Sequence, residues 1–118
     1  DNLPFTSSSF SIITQYTVFS SLLDLDMKMR IAAEMLRVLQ PRGIVIWYDF
    51  WINPTNRHTK GIHVKEIRNL FPDCSIDARL VTLAPPIARK IAPISKEFAR
   101  VLEYSPLRTH WLAIIRKL

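Results

Sequence analysis

The chain has 118 residues, with 16 Lys and Arg against 10 Asp and Glu, and a formal net charge of +6. Its composition, 48% hydrophobic and 22% charged, is that of a globular protein and excludes an intrinsically disordered chain. The length predicts one domain, and the single cysteine excludes both an intramolecular disulfide and a metal site built from several cysteines. No apolar run reaches the ~20 residues of a membrane-spanning helix, and no signal sequence stands at the start. We therefore expect a reduced, cytoplasmic protein.

The charge is uneven along the chain. Residues 1–50 carry four basic and five acidic side chains, whereas residues 51–118 carry twelve basic and five acidic ones. A basic half can bind nucleic acid or an anionic membrane surface. The basic residues are scattered, however, and no nucleic-acid-binding motif accompanies them. We expect a solvated basic face and no nucleic-acid partner.

Residues 10–16 form a short, β-rich apolar run that predicts a strand buried on both faces. Asp24 or Asp26 is suited to cap a helix that extends to about Gln40. An apolar stripe at helical spacing supports this helix; its members are Ile31, Met35, Val38 and Leu39.

The clearest strand is residues 44–50, whose continuous apolar character predicts a central parallel strand. Pro41 and Gly43 end the preceding helix, and we expect Gly43 to adopt the positive φ of such a turn. Within this strand Trp47 and Tyr48 point to opposite faces, so they cannot form one aromatic cage with Trp51.

The second half continues the alternation of helices and strands. We predict a polar loop over 51–61, a helix over 64–71, a strand over 75–83, helical segments over 86–92 and 94–104, and a strand over 109–116. The resulting order β-α-β-α-β-α-β predicts an α/β sheet covered on both sides. The last strand, at the end of the chain, is a candidate for an antiparallel strand.

Ligands of open α/β sheets bind beyond the carboxyl ends of the strands, which here carry Gln15 and Asp49. Asp49 either faces the cleft or accepts backbone N–H groups in the turn that it begins. Gln15 is either a buried, hydrogen-bonded side chain or part of a ligand site.

Other common chemistries lack their motifs. His58 and His63 do not have the i, i+4 spacing of a zinc helix, and His110 is more typical of a structural residue. Cys74 has no nearby histidine that would activate a thiol. With Gly43 and Gly61 as its two glycines, the chain cannot build a glycine-rich phosphate loop.

Three segments resemble the C-terminal half of the class I S-adenosylmethionine-dependent methyltransferases of the type 11 small-molecule group. They are Leu3-Pro4-Phe5, Ser9-Phe10-Ser11-Ile12-Ile13 and Glu34-Met35-Leu36-Arg37-Val38-Leu39-Gln40-Pro41-Arg42-Gly43-Ile44. The last is similar to the family's E-x-x-R-V-L-K-P-G-G motif. The chain departs from the family at Ser11, usually Asp, at Gln40, usually Lys, and at Arg42, usually Gly.

This resemblance implies a Rossmann-like α/β fold in which four strands correspond to 4-5-7-6 of the family sheet, the last one antiparallel. Residues 1–118 would then be a single partial domain, the substrate-side half, without the N-terminal cofactor-binding half. The cofactor of the complete enzyme would be S-adenosyl-L-methionine. The family's glycine-rich cofactor loop has no counterpart here, so we expect that this truncated chain does not bind the cofactor.

The resemblance also implies candidate residues for catalysis, for the cofactor and for the substrate. Those for catalysis are Asp49 and His58; those for the cofactor side are Asn2, Leu3, Gln15 and Tyr16; those for the substrate are Asn53, Asn56 and Arg57. The expected partners are a small-molecule acceptor and either a second copy or the missing N-terminal half, because residues 10–16 would be left as a bare, uncharged sheet edge. The alternative function is a non-catalytic interaction or dimerisation module.

Overall fold

A computed structural model describes residues 2–52, 58–83 and 108–118. Its elements are β1 (Phe10–Tyr16), a 3-10 turn (Phe19–Ser21), α1 (Leu25–Val38), β2 (Leu39–Phe50), α2 (Val64–Leu70), β3 (Cys74–Leu83) and β4 (Arg108–Lys117). All elements predicted within these ranges are present. The predicted helical segments 86–92 and 94–104 lie outside the described residues.

The four strands form one sheet in the order β1-β2-β4-β3. β1 runs parallel to β2, and β4 runs antiparallel to both β2 and β3. This confirms the α/β sheet with an antiparallel last strand. The two helices that the structure describes pack on one face of it, so the predicted cover on the second face lies outside the described residues. The order is also the 4-5-7-6 arrangement that the resemblance implied.

Helix α1 begins where the sequence predicted but ends at Val38, two residues before the predicted Gln40, and Leu39 already belongs to β2. The Asp24 side chain accepts a hydrogen bond from the backbone N–H of Asp26 and so caps the first turn. The predicted stripe faces the sheet, since Met35, Val38 and Leu39 are buried. In α2 the buried residues are Ile67 and Leu70.

The junction between α1 and β2 differs from the prediction in one respect. Arg42, not Gly43, has the positive φ, at 64°. Gly43 is needed for a different reason: a Cβ there would lie 2.6 Å from the Leu39 side chain and 2.8 Å from the Gln40 carbonyl oxygen. β2 starts at Leu39, which pairs with Phe10 of β1. Regular pairing of the two strands begins only at Ile44, after a shift in register.

The core lies between one face of the sheet and the two helices. Trp47 is fully buried there, with its ring centroid 4.5 Å from that of Phe19 and 5.7 Å from that of Phe71. Tyr48, on the opposite face, stacks on His110 at 4.7 Å. Trp51 contacts His63 at the start of α2. The three aromatic residues are thus in separate places, as predicted.

The prediction that β1 is buried on both faces is wrong. Ile12 and Tyr16 are 54% and 62% exposed, and Phe10 is also exposed. Among the strands that the structure describes, β1 pairs with β2 alone and forms the edge of the sheet. The exposed edge expected from the family resemblance is therefore confirmed for the described part of the chain.

Candidate functional site

Asp49 is the centre of a buried hydrogen-bond network at the carboxyl ends of β1 and β2. Its Oδ2 accepts from Gln15 Nε2 at 3.1 Å and from the backbone N–H groups of Phe19 and Ser20 at 3.0 and 3.2 Å. Its Oδ1 accepts from the Phe50 N–H at 2.8 Å. A buried carboxylate needs such donors to offset its desolvation. Asp49 thus accepts one N–H group in the turn that it begins, as the second alternative stated, but two more come from the 3-10 turn after β1.

Gln15 is also engaged at both ends of its amide. While its Nε2 donates to Asp49, its Oε1 accepts from the Val18 N–H at 3.0 Å. The side chain is 5% exposed. The contacts support the buried, hydrogen-bonded alternative, in which Gln15 and Asp49 together fix the chain as it leaves β1 and enters the 3-10 turn.

A cluster of three rings lies on the opposite face of the sheet, near the carboxyl end of β2. The His110 ring stacks on Tyr48 and lies 4.1 Å, centroid to centroid, from Phe50. Its Nδ1 is 2.9 Å from Thr109 Oγ1. Burial lowers the pKa of His110, and the Asp49 charge partly offsets this shift. This packing agrees with the structural role that the sequence favoured.

The polar loop after β2 is held where it returns to the sheet. The Lys60 N–H donates to the Ser20 carbonyl at 3.0 Å, and the Ile62 N–H donates to the Phe50 carbonyl at 2.9 Å. A Cβ on Gly61 would lie 1.8 Å from the Trp51 carbonyl oxygen, so this close approach requires glycine. His58 is exposed at this end of the loop. Asn53, Asn56 and Arg57, the predicted substrate residues, lie outside the described residues.

The N-terminal segment, residues 2–9, lies against α1 and contains the predicted cofactor-side residues Asn2 and Leu3. These two line a cavity of about 260 Å³ together with Ile31 and Glu34. Tyr16, the remaining cofactor candidate, is exposed at the end of β1, 5.9 Å from Tyr48 between ring centroids.

The predicted site residues therefore fall into separate groups. Gln15 and Asp49 are in direct contact, Asn2 and Leu3 border a cavity beside α1, and Tyr16 is on the face opposite Gln15. No cluster of three His, Cys, Asp or Glu side chains suited to a metal occurs among residues 2–52, 58–83 and 108–118. In the same ranges no helix is long and apolar enough to cross a membrane.

Sequence reasoning missed one polar arrangement. Glu34 and Arg37, quoted only as part of a family motif, contact the N-terminal segment through several hydrogen bonds. Their i, i+3 spacing on a helix was the available signal for the ion pair. Nothing in the spacing indicated that the segment thirty residues earlier would also bind to it.

Comparison with known proteins gives a fold. No family model matches the sequence, and no curated protein is significantly similar to it. Solved structures do match. A SAM-dependent methyltransferase from Methanosarcina mazei is 18% identical, with a TM-score of 0.67, and the match covers 99% of this chain and 63% of that one. The YcgJ protein from Bacillus subtilis is 15% identical, with a TM-score of 0.62 and coverages of 98% and 67%.

A third match shows the same fold with another activity. The [4+2]-cyclase SpnF is 15% identical, with a TM-score of 0.65, and the match covers 98% of this chain and 52% of that one. The chain spans less than two thirds of the length of the methanogen structure that it matches. The strand order, the strand directions and the matching structures all indicate the same fold. The chain has the fold of the C-terminal part of class I S-adenosylmethionine-dependent methyltransferases.

Proposed function

We propose that the chain is the substrate-side part of an S-adenosylmethionine-dependent methyltransferase that acts on a small molecule. The observation that carries the proposal is the sheet order β1-β2-β4-β3 with β4 antiparallel, matched over 99% of the chain by a SAM-dependent methyltransferase. The match to a cyclase shows that proteins of this fold catalyse different reactions. Since the fold does not identify the reaction or the substrate, both the methyl transfer and the small-molecule acceptor are proposed here.

The side chains present would supply only one side of a cofactor site. Both ends of the Gln15 amide are engaged within the protein, which leaves Asn2, Leu3 and Tyr16 as proposed contacts to S-adenosylmethionine. The sequence has no glycine-rich loop that could hold the methionine part of the cofactor. We propose that the 118-residue chain by itself does not bind the cofactor.

We assign the acceptor to the carboxyl ends of β1 and β2, with His58, Asn53, Asn56 and Arg57 on the substrate side. Methyl transfer depends mainly on positioning the two reactants, and a histidine can take the proton where the nucleophile carries one. Asp49 would act there through the turn that it holds.

Calorimetric titration of the purified chain with S-adenosylhomocysteine tests the proposal. We expect no binding tighter than about 100 μM, equivalent to roughly −5.5 kcal/mol. Tighter binding would contradict the claim that the chain lacks the main cofactor contacts. A coding region that continues upstream of Asp1 into a strand, a glycine-rich loop and a helix would support the enzyme, and a start codon immediately before Asp1 would count against it.

The second candidate is a non-catalytic interaction or dimerisation module. The exposed edge strand β1 favours it, because Ile12 and Tyr16 are largely exposed and the strand has no charged residue or proline to discourage pairing. Both candidates predict an association through β1. In the enzyme the partner is the N-terminal half; in the module it is a second copy, related by a two-fold axis.

A further inference from the structure

Residues 2–7 are bound to α1 through the side chains of Glu34 and Arg37, whereas the N–H groups of Ser8 and Ser9 donate to the α1 carbonyl oxygens of Arg37 and Val38 at 2.9 and 2.8 Å. The Arg37 guanidinium donates to the carbonyl oxygens of Phe5 at 2.9 Å and Leu3 at 3.1 Å, and to Ser7 Oγ at 3.3 Å. Glu34 Oε2 accepts from the Leu3 N–H at 2.9 Å. One ion pair therefore contacts both the N–H and the C=O of Leu3.

The two side chains also bind each other with bidentate geometry. Arg37 Nε donates to Glu34 Oε1 at 2.8 Å, and its Nη2 donates to Glu34 Oε2 at 2.9 Å. Such fork-to-fork pairs fix orientation as well as distance. The Glu34 and Arg37 side chains are 18% and 32% exposed, so the pair is partly covered.

The exposed pair Asp77–Arg79 provides a comparison within the same molecule. Its closest N···O distance is 3.6 Å, and its side chains are 72% and 73% exposed. Surface pairs of this kind contribute little to stability. Glu34 and Arg37 differ because their remaining hydrogen-bonding groups are directed at a separate segment of backbone.

The chemistry of Glu34 is consistent with this geometry. Its hydrogen bond with Arg37, and next the one from the Leu3 backbone, lower its pKa to about 2. The same pair raises the pKa of Arg37. Both groups therefore stay charged throughout the neutral pH range. The contacts of Glu34 and Arg37 with residues 2–5, together called the clamp, do not depend on small pH changes.

The segment that is held in this way forms one wall of a cavity. Asn2 and Leu3 face Ile31 and Glu34 across about 260 Å³. If residues 2–5 left α1, this wall would be lost.

We propose that Glu34 and Arg37 are positioning residues, which hold residues 2–5 on α1 so that Asn2 and Leu3 form a fixed rim on the cofactor side. The rim's relation to a cofactor rests on the proposed function. The clamp itself rests only on the contacts described above. Arg37 is essential in this account because the three donors of a lysine share one nitrogen and cannot reproduce the planar guanidinium fork, which binds both oxygens of Glu34 and two carbonyl groups together.

Exchanging the two charges separates the clamp from an ordinary helix ion pair. The double variant Glu34→Arg with Arg37→Glu keeps an i, i+3 pair on α1, but it places a donor at the Leu3 N–H and an acceptor at the two carbonyl groups. Residue-resolved amide hydrogen exchange of the 118-residue chain provides the readout. The matched control is Asp77→Asn, which removes one charge from the exposed pair.

We expect the exchanged variant to raise the exchange rate of the Leu3 amide by roughly tenfold or more while amides inside α1 keep theirs. The control should leave both unchanged. Unchanged protection of Leu3 in the exchanged variant would overturn the proposal, and so would an equal loss along the whole of α1. If the exchanged variant does not fold, Glu34→Ala, which removes the acceptor of the Leu3 N–H, decides between the same outcomes. Because exchange reports the segment and not a ligand, its failure is distinct from a failure of the methyltransferase assignment.

Discussion

The covered face of the sheet and its outer edge at β1 have similarly apolar sequences but different surroundings. On the covered face Val45 and Trp47 are completely buried by the helices. At the edge Ile12 and Tyr16 are more than half exposed. A hydrophobic strand pattern thus indicates that a strand needs cover, but it does not say whether the same chain provides that cover.

Removal of the largest core side chain should give the largest change in stability. Trp47→Ala deletes a fully buried ring that packs between Phe19 and Phe71, and we expect a loss of about 3–5 kcal/mol in the free energy of unfolding. Tyr16→Ala at the edge should cost less than about 1 kcal/mol. Urea denaturation followed by circular dichroism measures both. Equal losses would show that the two regions are not different in packing.

The turn at the end of β1 should be the next most sensitive place. Asp49→Asn replaces a carboxylate that accepts four hydrogen bonds with an amide whose NH₂ group must face one of the donors. We expect a loss of about 1–3 kcal/mol. Asp77→Asn, at a side chain that is 72% exposed, should stay within about 0.5 kcal/mol. If the two variants are alike, the Asp49 network does not hold the turn.

Sequence patterns were sufficient to predict the helix that covers the sheet. They were insufficient to predict the junction between α1 and β2 and the exposure of β1. The apolar stripe of α1 and its Asp24 cap depend on residues close together in the sequence, so they were predictable. The positive φ of Arg42 was not, because it depends on how closely Gly43 approaches Leu39. The exposure of β1 followed from the family resemblance but not from composition, which predicted burial.

The candidate site was predictable only in part for a similar reason. That Asp49 and Gln15 end neighbouring parallel strands can be read from the order of the elements. That they bind each other and the N–H groups of the 3-10 turn depends on three-dimensional contacts. The hold of Glu34 and Arg37 on residues 2–5 depends on contacts between positions more than thirty residues apart, which no local pattern encodes.

Acid should weaken the attachment of the N-terminal segment, with a smaller effect than the substitutions above. The pKa of Glu34 falls from 4.5 to about 2 on folding. A lowered carboxyl pKa gives stability that is fully present above pH 4.5 and is lost as the pH falls towards 2. Wild type and Glu34→Gln should therefore differ in stability at pH 6 and converge near pH 2. A constant difference across this range would contradict the assignment.

The central claim is that β1 is built as an interior strand and needs a partner outside the described sheet. Light scattering of the purified chain at micromolar concentration tests it directly, together with Ile12→Lys, which places a charge at the edge without touching the core. We expect the wild type to have at least twice the chain mass of 13.7 kDa and the variant to be a folded monomer. A stable wild-type monomer whose β1 amides exchange freely, or an association that Ile12→Lys leaves intact, would contradict the account.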